Sequence, residues 1–409
     1  MNFRPKHALL LLLSLFCVLV SFNLFAQVRP ANHARHMIPL ESGWQFHQRI
    51  DGPATEMSAW RAAQVPGDVH LDLLHNKLIP DPFYRDNEAK LQWIENADWE
   101  YRTTIEVTPE LLKRRHIELV FDGLDAYAEV YLNAKLMLTA NNMFRTWRVD
   151  IKPDLKPGVN QLLVVFPSPI KAAAKVAATD TWRSQTHTEE KTYIRKAAYE
   201  YGWDWGPRFV TSGIWKPVKL DLWDEERISD FHIRQRDIAA DAAHLMAELE
   251  ITTTENARAG VTLNYVVAGK KVEAARAVEL HAGVNHVDFP IEIDKPELWY
   301  PAGYGAQPMY EFKAQVKTAA GRIEDEATVR TGLRSVVLHR EVDRWGRSFE
   351  LIVNGVPVFA KGADMIPFDS FPNRVTTAEY RRVLQSAKDA NMNMIRHWGG
   401  GHYESAIFT

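Results

Sequence analysis

Apolar and polar residues alternate in short runs over the first half of the chain. Residues 101–107 and 128–132 alternate, and residues 161–166 form a compact apolar run. A period of two is typical of half-buried β-strands, and no long helical period occurs between residues 27 and 223. This region is therefore predicted to be an antiparallel β-sandwich of the jelly-roll type.

The same alternation returns in a second region, residues 224–339. Residues 244–251 and 261–266 alternate, with glycine and charged residues between the runs. Strands at this spacing over about 110 residues fit an immunoglobulin-like sandwich.

A different pattern follows in residues 340–409. Thr376 and Glu379 form a capping box, and the apolar residues after them recur with helical spacing. The helix is preceded by residues 361–367, which are predicted to be a buried strand and its exit loop, and it is followed by residues 392–398, which are predicted to be another strand. A strand–helix–strand unit of this kind begins a parallel (β/α)8 barrel, which needs eight strands and about 250 residues.

The first 26 residues have the pattern of an export signal. Arg4 and Lys6 precede an apolar run over residues 8–20, and Ala26 suits cleavage before Gln27. A periplasmic or secreted protein is expected, with an uncleaved membrane anchor as the alternative. Cys17 is the single cysteine, so disulfides and thiolate metal sites are not expected after cleavage.

Charge and composition narrow the class of ligand. The formal net charge is -3, which provides no electrostatic footprint for nucleic acid or an anionic membrane. The chain has 13 tryptophans, and flat indole rings suit the apolar faces of sugars. A neutral polar ligand is the natural expectation, and no metal or organic cofactor is implied.

One cluster places a carboxylate between two indoles. Asp204 lies between Trp203 and Trp205, and glycines flank the three residues. Such a loop can hold a sugar, because the carboxylate accepts hydrogen bonds from two hydroxyls while a ring covers a carbon face. The alternative is structural: Asp204 pairs with Arg208, and both tryptophans lie in a core.

Three further motifs are notable: residues 203–208 with 211–215, residues 361–363 with Pro367 and residues 369–371, and residues 391–396 ahead of residues 398–401. These motifs closely resemble those of β-mannosidases, in the glycoside hydrolase family that also holds β-galactosidases and β-glucuronidases. The resemblance covers nearly the whole chain after residue 26. It implies a jelly-roll domain, an immunoglobulin-like sandwich and a (β/α)8 barrel, in the order inferred above.

The resemblance also implies roles for particular residues. Trp203 and Asp204 would hold the terminal sugar, Trp398 would line the floor of the pocket, and Arg396 would position the catalytic nucleophile. The implied activity is a retaining exo-β-mannosidase, which removes terminal β-D-mannose from β-mannosides and mannose-containing oligosaccharides.

Two catalytic glutamates are implied by the same resemblance, and neither of their positions falls within these 409 residues. The 409-residue chain is therefore expected to be inactive alone. Asp364 and Glu404 are not expected to substitute, since Asp364 stands where relatives usually carry Asn. The alternatives are a non-catalytic carbohydrate-binding module and another exo-glycosidase specificity.

Overall fold

The computed structural model describes residues 34–50, 52, 54–181 and 190–404. The predicted export signal and Cys17 lie outside these residues.

The first part of the described chain is a sandwich of two antiparallel sheets. Their strand orders are β1–β12–β5–β8 and β3–β2–β4–β9–β6–β7, and β10 and β11 form a separate hairpin. The strands are β1 His36–Pro39, β2 Gln45–Arg49, β3 Arg61–Ala62, β4 Asp98–Val107, β5 His116–Phe121, β6 Tyr127–Leu132, β7 Lys135–Asn141, β8 Trp147–Asp150, β9 Gly158–Phe166, β10 Tyr201–Trp203, β11 Gly206–Arg208 and β12 Val218–Trp223.

The alternation in the sequence becomes the inner face of this sandwich. Along β4 every second residue is buried, from Trp99 to Val107, and β6 alternates in the same way. The core between the sheets includes fully buried rings of Trp99, Tyr101, Phe121 and Phe166. The predicted strands in this region are confirmed.

Three helices lie on the first sandwich: α1 Val69–His75, α2 Asn87–Leu91 and α3 Pro169–Thr179. The expectation of no long helical period was wrong for α3, which has 11 residues. The Ser168 hydroxyl accepts a hydrogen bond from the Lys171 amide, and Pro169 occupies the first helical position. A serine–proline pair ahead of several alanines was the available signal. Among the described helices, none is long and apolar enough to span a membrane.

The second sandwich has the immunoglobulin-like form expected from the sequence. Its sheets have the orders β13–β14–β17 and β16–β15–β18–β19, and a separate apolar core lies between them. The strands are β13 Glu226–Ile238, β14 Ala242–Thr253, β15 Ala257–Val267, β16 Lys270–Leu280, β17 Gly283–Asp294, β18 Tyr310–Thr318 and β19 Ile323–Thr331.

Arg35 joins the two sandwiches. Its Nε and Nη2 atoms donate to the Asp221 carboxylate of β12 at 2.8 and 2.7 Å, and its Nη1 donates to Asp325 of β19 at 3.0 Å. Asp221 also accepts from Arg148 at 2.6 Å. This buried network fixes the end of one sandwich to the end of the other.

The last part of the described chain contains the predicted strand–helix–strand unit. α4 runs over Thr377–Asp389, and Thr376 and Glu379 form the predicted capping box. The strands on either side of it pair in parallel. The strands of this part are β20 Val336–His339, β21 Val342–Asp343, β22 Gly346–Arg347, β23 Glu350–Val353, β24 Val356–Val358, β25 Gly362–Met365 and β26 Met394–His397.

The strand predicted within residues 361–367 is confirmed as β25, but the prediction that it is buried was wrong. Of β25 only Met365 is buried, and the three residues before it are exposed. The reason is geometric: within the described residues β25 pairs only with β26, and a strand is buried on both faces only when layers cover both.

Two acidic residues are buried at α1. Asp68 caps the helix by accepting from the His70 and Leu71 amides, and Asp72 accepts from the Tyr101 hydroxyl at 2.8 Å. Burial raises the pKa of Asp68 to about 8, and burial likewise raises the pKa of Asp72 to about 7. Both groups therefore favour the protonated form in the folded protein.

We predict that replacing Asp68 by Asn flattens the pH dependence of stability. Folded Asp68 keeps its proton up to about pH 8, while the unfolded chain releases it near pH 4, so its stabilising contribution is lost as pH rises between these values. Urea titrations should show the wild-type free energy of unfolding falling by about 3–4 kcal/mol more than that of Asp68→Asn between about pH 5 and pH 8.

The matched control is Asp86→Asn. Asp86 is the exposed N-cap residue of α2, and its hydrogen bond with Lys90 lowers its pKa, so it is ionised in both the folded and the unfolded chain above about pH 5 and its replacement should leave the pH dependence between about pH 5 and pH 8 unchanged. Equal pH slopes for the wild type and Asp68→Asn would contradict the assignment of a buried protonated Asp68.

Candidate functional site

The candidate site is built on the hairpin of β10 and β11. Tyr201 pairs with Arg208 and Trp203 pairs with Gly206, so Asp204 and Trp205 form a two-residue tip. Gly202 has φ +87°, a left-handed conformation that side chains rarely adopt. The sequence of the tip therefore places the carboxylate and two indoles together at the end of a short stalk.

Trp398 meets this tip from the opposite direction. It follows the last residue of β26, and its ring lies 5.2 Å from the Trp203 ring and 5.7 Å from the Trp205 ring, both in edge-to-face geometry. The fold thus brings together Trp203 and Trp398, two predicted site residues that are distant in the sequence. The three rings form one aromatic wall.

Asp204 is exposed at the tip. Within the described residues it makes no hydrogen bond or ion pair, and the Arg208 guanidinium binds Glu95 instead. Trp203 is 43% exposed, and Trp205 is half-buried. The structural alternative, with an Asp204–Arg208 pair and both tryptophans in a core, does not fit these contacts.

Arg396 lies on β26, two residues before Trp398. Its Nη1 atom donates to the Asp364 carboxylate at 2.9 Å, across the β25–β26 pair. The side chains of Arg396 and Asp364 are 59% and 56% exposed, so this is not a buried structural ion pair. The Arg396 guanidinium therefore remains accessible to solvent, on the strand that leads into Trp398.

The glycines after Trp398 let the chain turn tightly over the indole. A Cβ atom at Gly400 would lie 2.3 Å from the Trp398 ring. The Gly400 backbone therefore approaches the indole more closely than a residue with a side chain could. Any side chain at this position would displace the Trp398 ring.

A buried lysine holds the base of the hairpin. Lys196 Nζ contacts the carboxylates of Asp125 and Glu200, and it lies 3.1 Å from the Thr211 hydroxyl. Glu200 accepts from the Thr211 amide at 3.0 Å, which ties the residue before β10 to a residue shortly after β11. Sequence reasoning missed this cluster, although charged residues directly flanking the tryptophan motif were a signal.

The electrostatics of this cluster follow from its burial. Burial opposes the charge of Lys196, but the attraction of Asp125 and Glu200 outweighs it and raises the lysine's pKa. Burial raises the pKa of Asp125 to about 7, although Lys196 acts against that shift. The charge of each group depends on the others being in place.

Further contacts attach the segment after β25 to the first sandwich. The Phe371 ring is fully buried and stacks on Phe209 at 5.2 Å, with His70 at 5.5 Å. His402 is buried 3.5 Å from the Tyr199 hydroxyl and pairs with Glu404. These contacts fix the position of Trp398 against the hairpin.

Glu404 is packed rather than open to a ligand. It accepts a hydrogen bond from the Tyr380 hydroxyl, and its side chain is 4% exposed. Burial acts to raise its pKa, but the hydrogen bonds from His402 and Tyr380 outweigh burial and lower it. Asp364, on β25, is bound by Arg396 instead. In residues 34–404, so far as they are described, no cluster of three or more histidines or acids is arranged to hold a metal.

Comparison with known protein families identifies the family of this chain. Residues 44–216 match the domain described as "Glycosyl hydrolase 2 galactose-binding domain-like", and residues 226–334 match "Glycosyl hydrolases family 2". The chain belongs to glycosyl hydrolase family 2. The first match covers the sandwich that carries the hairpin, and the second covers the immunoglobulin-like sandwich.

Individual relatives agree with this family. The chain is 35% identical over 380 residues to beta-mannosidase B of Thermothelomyces thermophilus, covering 91% of this chain and 43% of the relative. It is 39% identical to the crystal structure of a beta-D-mannosidase from Dictyoglomus thermophilum, with a TM-score of 0.86, covering 91% of this chain and 45% of that one. The chain therefore spans less than half the length of these relatives.

The fold is shared more widely within the solved structures. An exo-chitosanase from Amycolatopsis orientalis matches 91% of this chain with a TM-score of 0.70 at 23% identity, covering 42% of that chain. At this identity the likeness shows the fold alone.

We predict that Lys196→Met destabilises the protein by about 3–5 kcal/mol, because it leaves the carboxylates of Asp125 and Glu200 buried without their cation. Urea titration followed by circular dichroism measures this loss. The matched control is Lys90→Met, which removes an exposed pair with Asp86 and should cost far less. Equal losses for the two variants would contradict a central role for the buried lysine.

Proposed function

We propose that this chain is the sugar-binding N-terminal part of a β-mannosidase, a retaining exo-glycosidase that hydrolyses terminal non-reducing β-D-mannose. The substrates are β-mannosides and mannose-containing oligosaccharides. The relatives at 35% and 39% identity are named as β-mannosidases, which supports this specificity within the family.

The observation that carries the proposal is the unpaired carboxylate of Asp204 beside an aromatic wall. Asp204 is exposed at the hairpin tip, and beside it Trp398 contacts the rings of both Trp203 and Trp205. A carboxylate accepts charge-assisted hydrogen bonds from sugar hydroxyls, and an indole face covers the apolar carbons of the ring. Both features are accessible on one side of the molecule.

Trp203 and Asp204 would hold the terminal sugar, and Trp398 would line the floor of the pocket. The exposed Arg396 guanidinium, which pairs with Asp364 in this structure, would favour the ionised form of a neighbouring carboxylate nucleophile. Retaining hydrolysis requires two carboxyl groups about 5–5.5 Å apart across the scissile bond. We assign neither group to a residue of this chain.

The proposed location outside the cytoplasm rests on the sequence pattern at the N-terminus. Arg4 and Lys6 before the apolar run of residues 8–20 support export to the periplasm or the medium. A secreted enzyme could act on mannan fragments outside the cytoplasm.

We predict that the 409-residue chain binds methyl β-mannoside weakly through Asp204. Isothermal titration calorimetry should show that Asp204→Asn lowers the affinity about tenfold, because a neutral amide replaces a charge-assisted acceptor. Asp288→Asn is the control, since Asp288 is an exposed carboxylate on β17 of the second sandwich. Equal affinities for the wild type and Asp204→Asn would contradict the assignment.

We also predict that the pure 409-residue protein releases no aryl alcohol from an aryl β-mannoside above the buffer rate. The physical reason is that the two carboxyl groups of a retaining site are required together. Release that persists through repurification and is abolished by Asp204→Asn would contradict this prediction.

A second candidate is a non-catalytic carbohydrate-binding module, favoured by the exposure of Trp203 and Asp204 in the chain as it stands. The two candidates differ in the ligand they prefer. A β-mannosidase part should prefer a terminal β-mannoside over the β-glucoside that differs at C2, whereas a general binding module should prefer longer chains. Titration with both monosaccharide glycosides and with a mannohexaose separates them.

A further inference from the structure

We infer that Glu95 and Arg208 are positioning residues whose ion pair sets where Trp203 and Asp204 stand relative to Trp398. The consequence for sugar binding rests on the proposed function, but the geometric claim does not. Neither residue lies at the hairpin tip. Both act from the far end of its stalk.

The side chain of Arg208 is held in a two-point geometry. Its Nε atom donates to Glu95 Oε2 at 3.1 Å, and its Nη2 atom donates to Glu95 Oε1 at 2.8 Å. Glu95 is only 8% exposed. A bidentate pair of this kind fixes orientation as well as distance, because two parallel bonds leave little freedom to rotate.

The backbone of Arg208 is bound by the same segment. Its amide donates to Glu88 Oε1 at 2.7 Å, and its carbonyl accepts from Gln92 Nε2 at 2.9 Å. The amide, the carbonyl and the guanidinium of this one residue are therefore all bound by the segment of residues 88–95. The guanidinium also lies 5.3 Å from the centre of the Tyr201 ring on the opposite strand.

The segment that binds Arg208 is itself fixed to the sandwich core. The Glu95 carbonyl accepts from the Ser168 hydroxyl at 2.7 Å, and Ile94 beside it is buried. The Trp99 indole donates to the Ile94 carbonyl at 3.2 Å. The contacts that residues 88–95 make with Arg208 are called the clamp below. Because residues 88–95 are attached to the core of the first sandwich, the clamp fixes the hairpin relative to that sandwich.

A small rotation of the hairpin at the clamp displaces the side chains at its tip. A two-stranded hairpin has little stability of its own, so contacts outside it decide its direction. Gly206, where β11 begins beside the two-residue tip, is two residues from Arg208, so the tip lies roughly 10 Å from Arg208 and a tilt of about 10° there moves it by about 2 Å. Displacements of this size are enough to weaken a hydrogen-bonded site.

The test follows the Trp203 ring directly in the full 409-residue chain. The protein is labelled with 5-fluorotryptophan, and the ¹⁹F resonance of Trp203 is assigned with Trp203→Phe. The variants are Glu95→Gln, Arg208→Gln and the double variant, each with its thermal unfolding measured. The control is Glu248→Gln, because Glu248 accepts from both Nε and Nη2 of Arg234 in the second sandwich, far along the chain from the hairpin.

We expect both single variants to remain folded and to shift or broaden the Trp203 resonance, because the ring leaves its edge-to-face contact with Trp398. The double variant should resemble either single variant, since each removes the same pair. Glu248→Gln should leave the resonance in place. An unmoved Trp203 resonance in folded Glu95→Gln, or additive effects of the two substitutions, would overturn the inference.

Sugar affinity supplies a second readout. If the wild type binds methyl β-mannoside, Glu95→Gln should weaken binding about three- to tenfold with little change in the unfolding temperature. A shifted ring with unchanged affinity would overturn the clamp's role in binding. Absence of binding by the wild type would count against the proposed function and leave the ¹⁹F result to decide the geometric claim.

Discussion

Contact between aromatic rings of the first sandwich and the segment after β25 is the interaction on which the site depends. Phe371 stacks on Phe209, and Trp398 lies between Trp203 and Trp205. Within the described residues β25 and β26 pair only with each other, so this segment has little core of its own. The ring contacts bury apolar area that the short parallel pair cannot bury, and they hold Trp398 against the hairpin.

Buried charge complements the aromatic contacts. Lys196 between Asp125 and Glu200 closes the base of the hairpin, while Glu95 and Arg208 hold its stalk from the side. Buried ion pairs add little net stability, because desolvation offsets attraction, but they strongly disfavour arrangements in which one partner is missing. Here these ion pairs define one direction of the hairpin, in which Asp204 has no hydrogen-bond or ion-pair partner among the described residues.

Sequence patterns were sufficient for the architecture and for part of the site. Alternation predicted β4, β6 and β14, the Thr376–Glu379 pair predicted the start of α4, and the tryptophan motif identified Asp204 as a candidate ligand group. The patterns failed for α3. Its N-cap is a local signal, and its alanine-rich sequence has few of the large apolar residues whose spacing predicts a helix. They also failed for the burial of β25, because a single apolar run does not reveal how many layers will cover a strand.

The sequence by itself determined the order of the sandwiches, the parallel pair joined by α4, and the side chains of the candidate site. These follow from local spacing, since strand and helix periods are properties of consecutive residues. Only the tertiary structure decided that Arg208 binds Glu95 and leaves Asp204 unpaired, and that Trp398 closes on the hairpin. These pairings depend on contacts between distant parts of the chain. Two carboxylates have the same chemistry, so only distance and burial in the folded protein decide which of them binds the arginine.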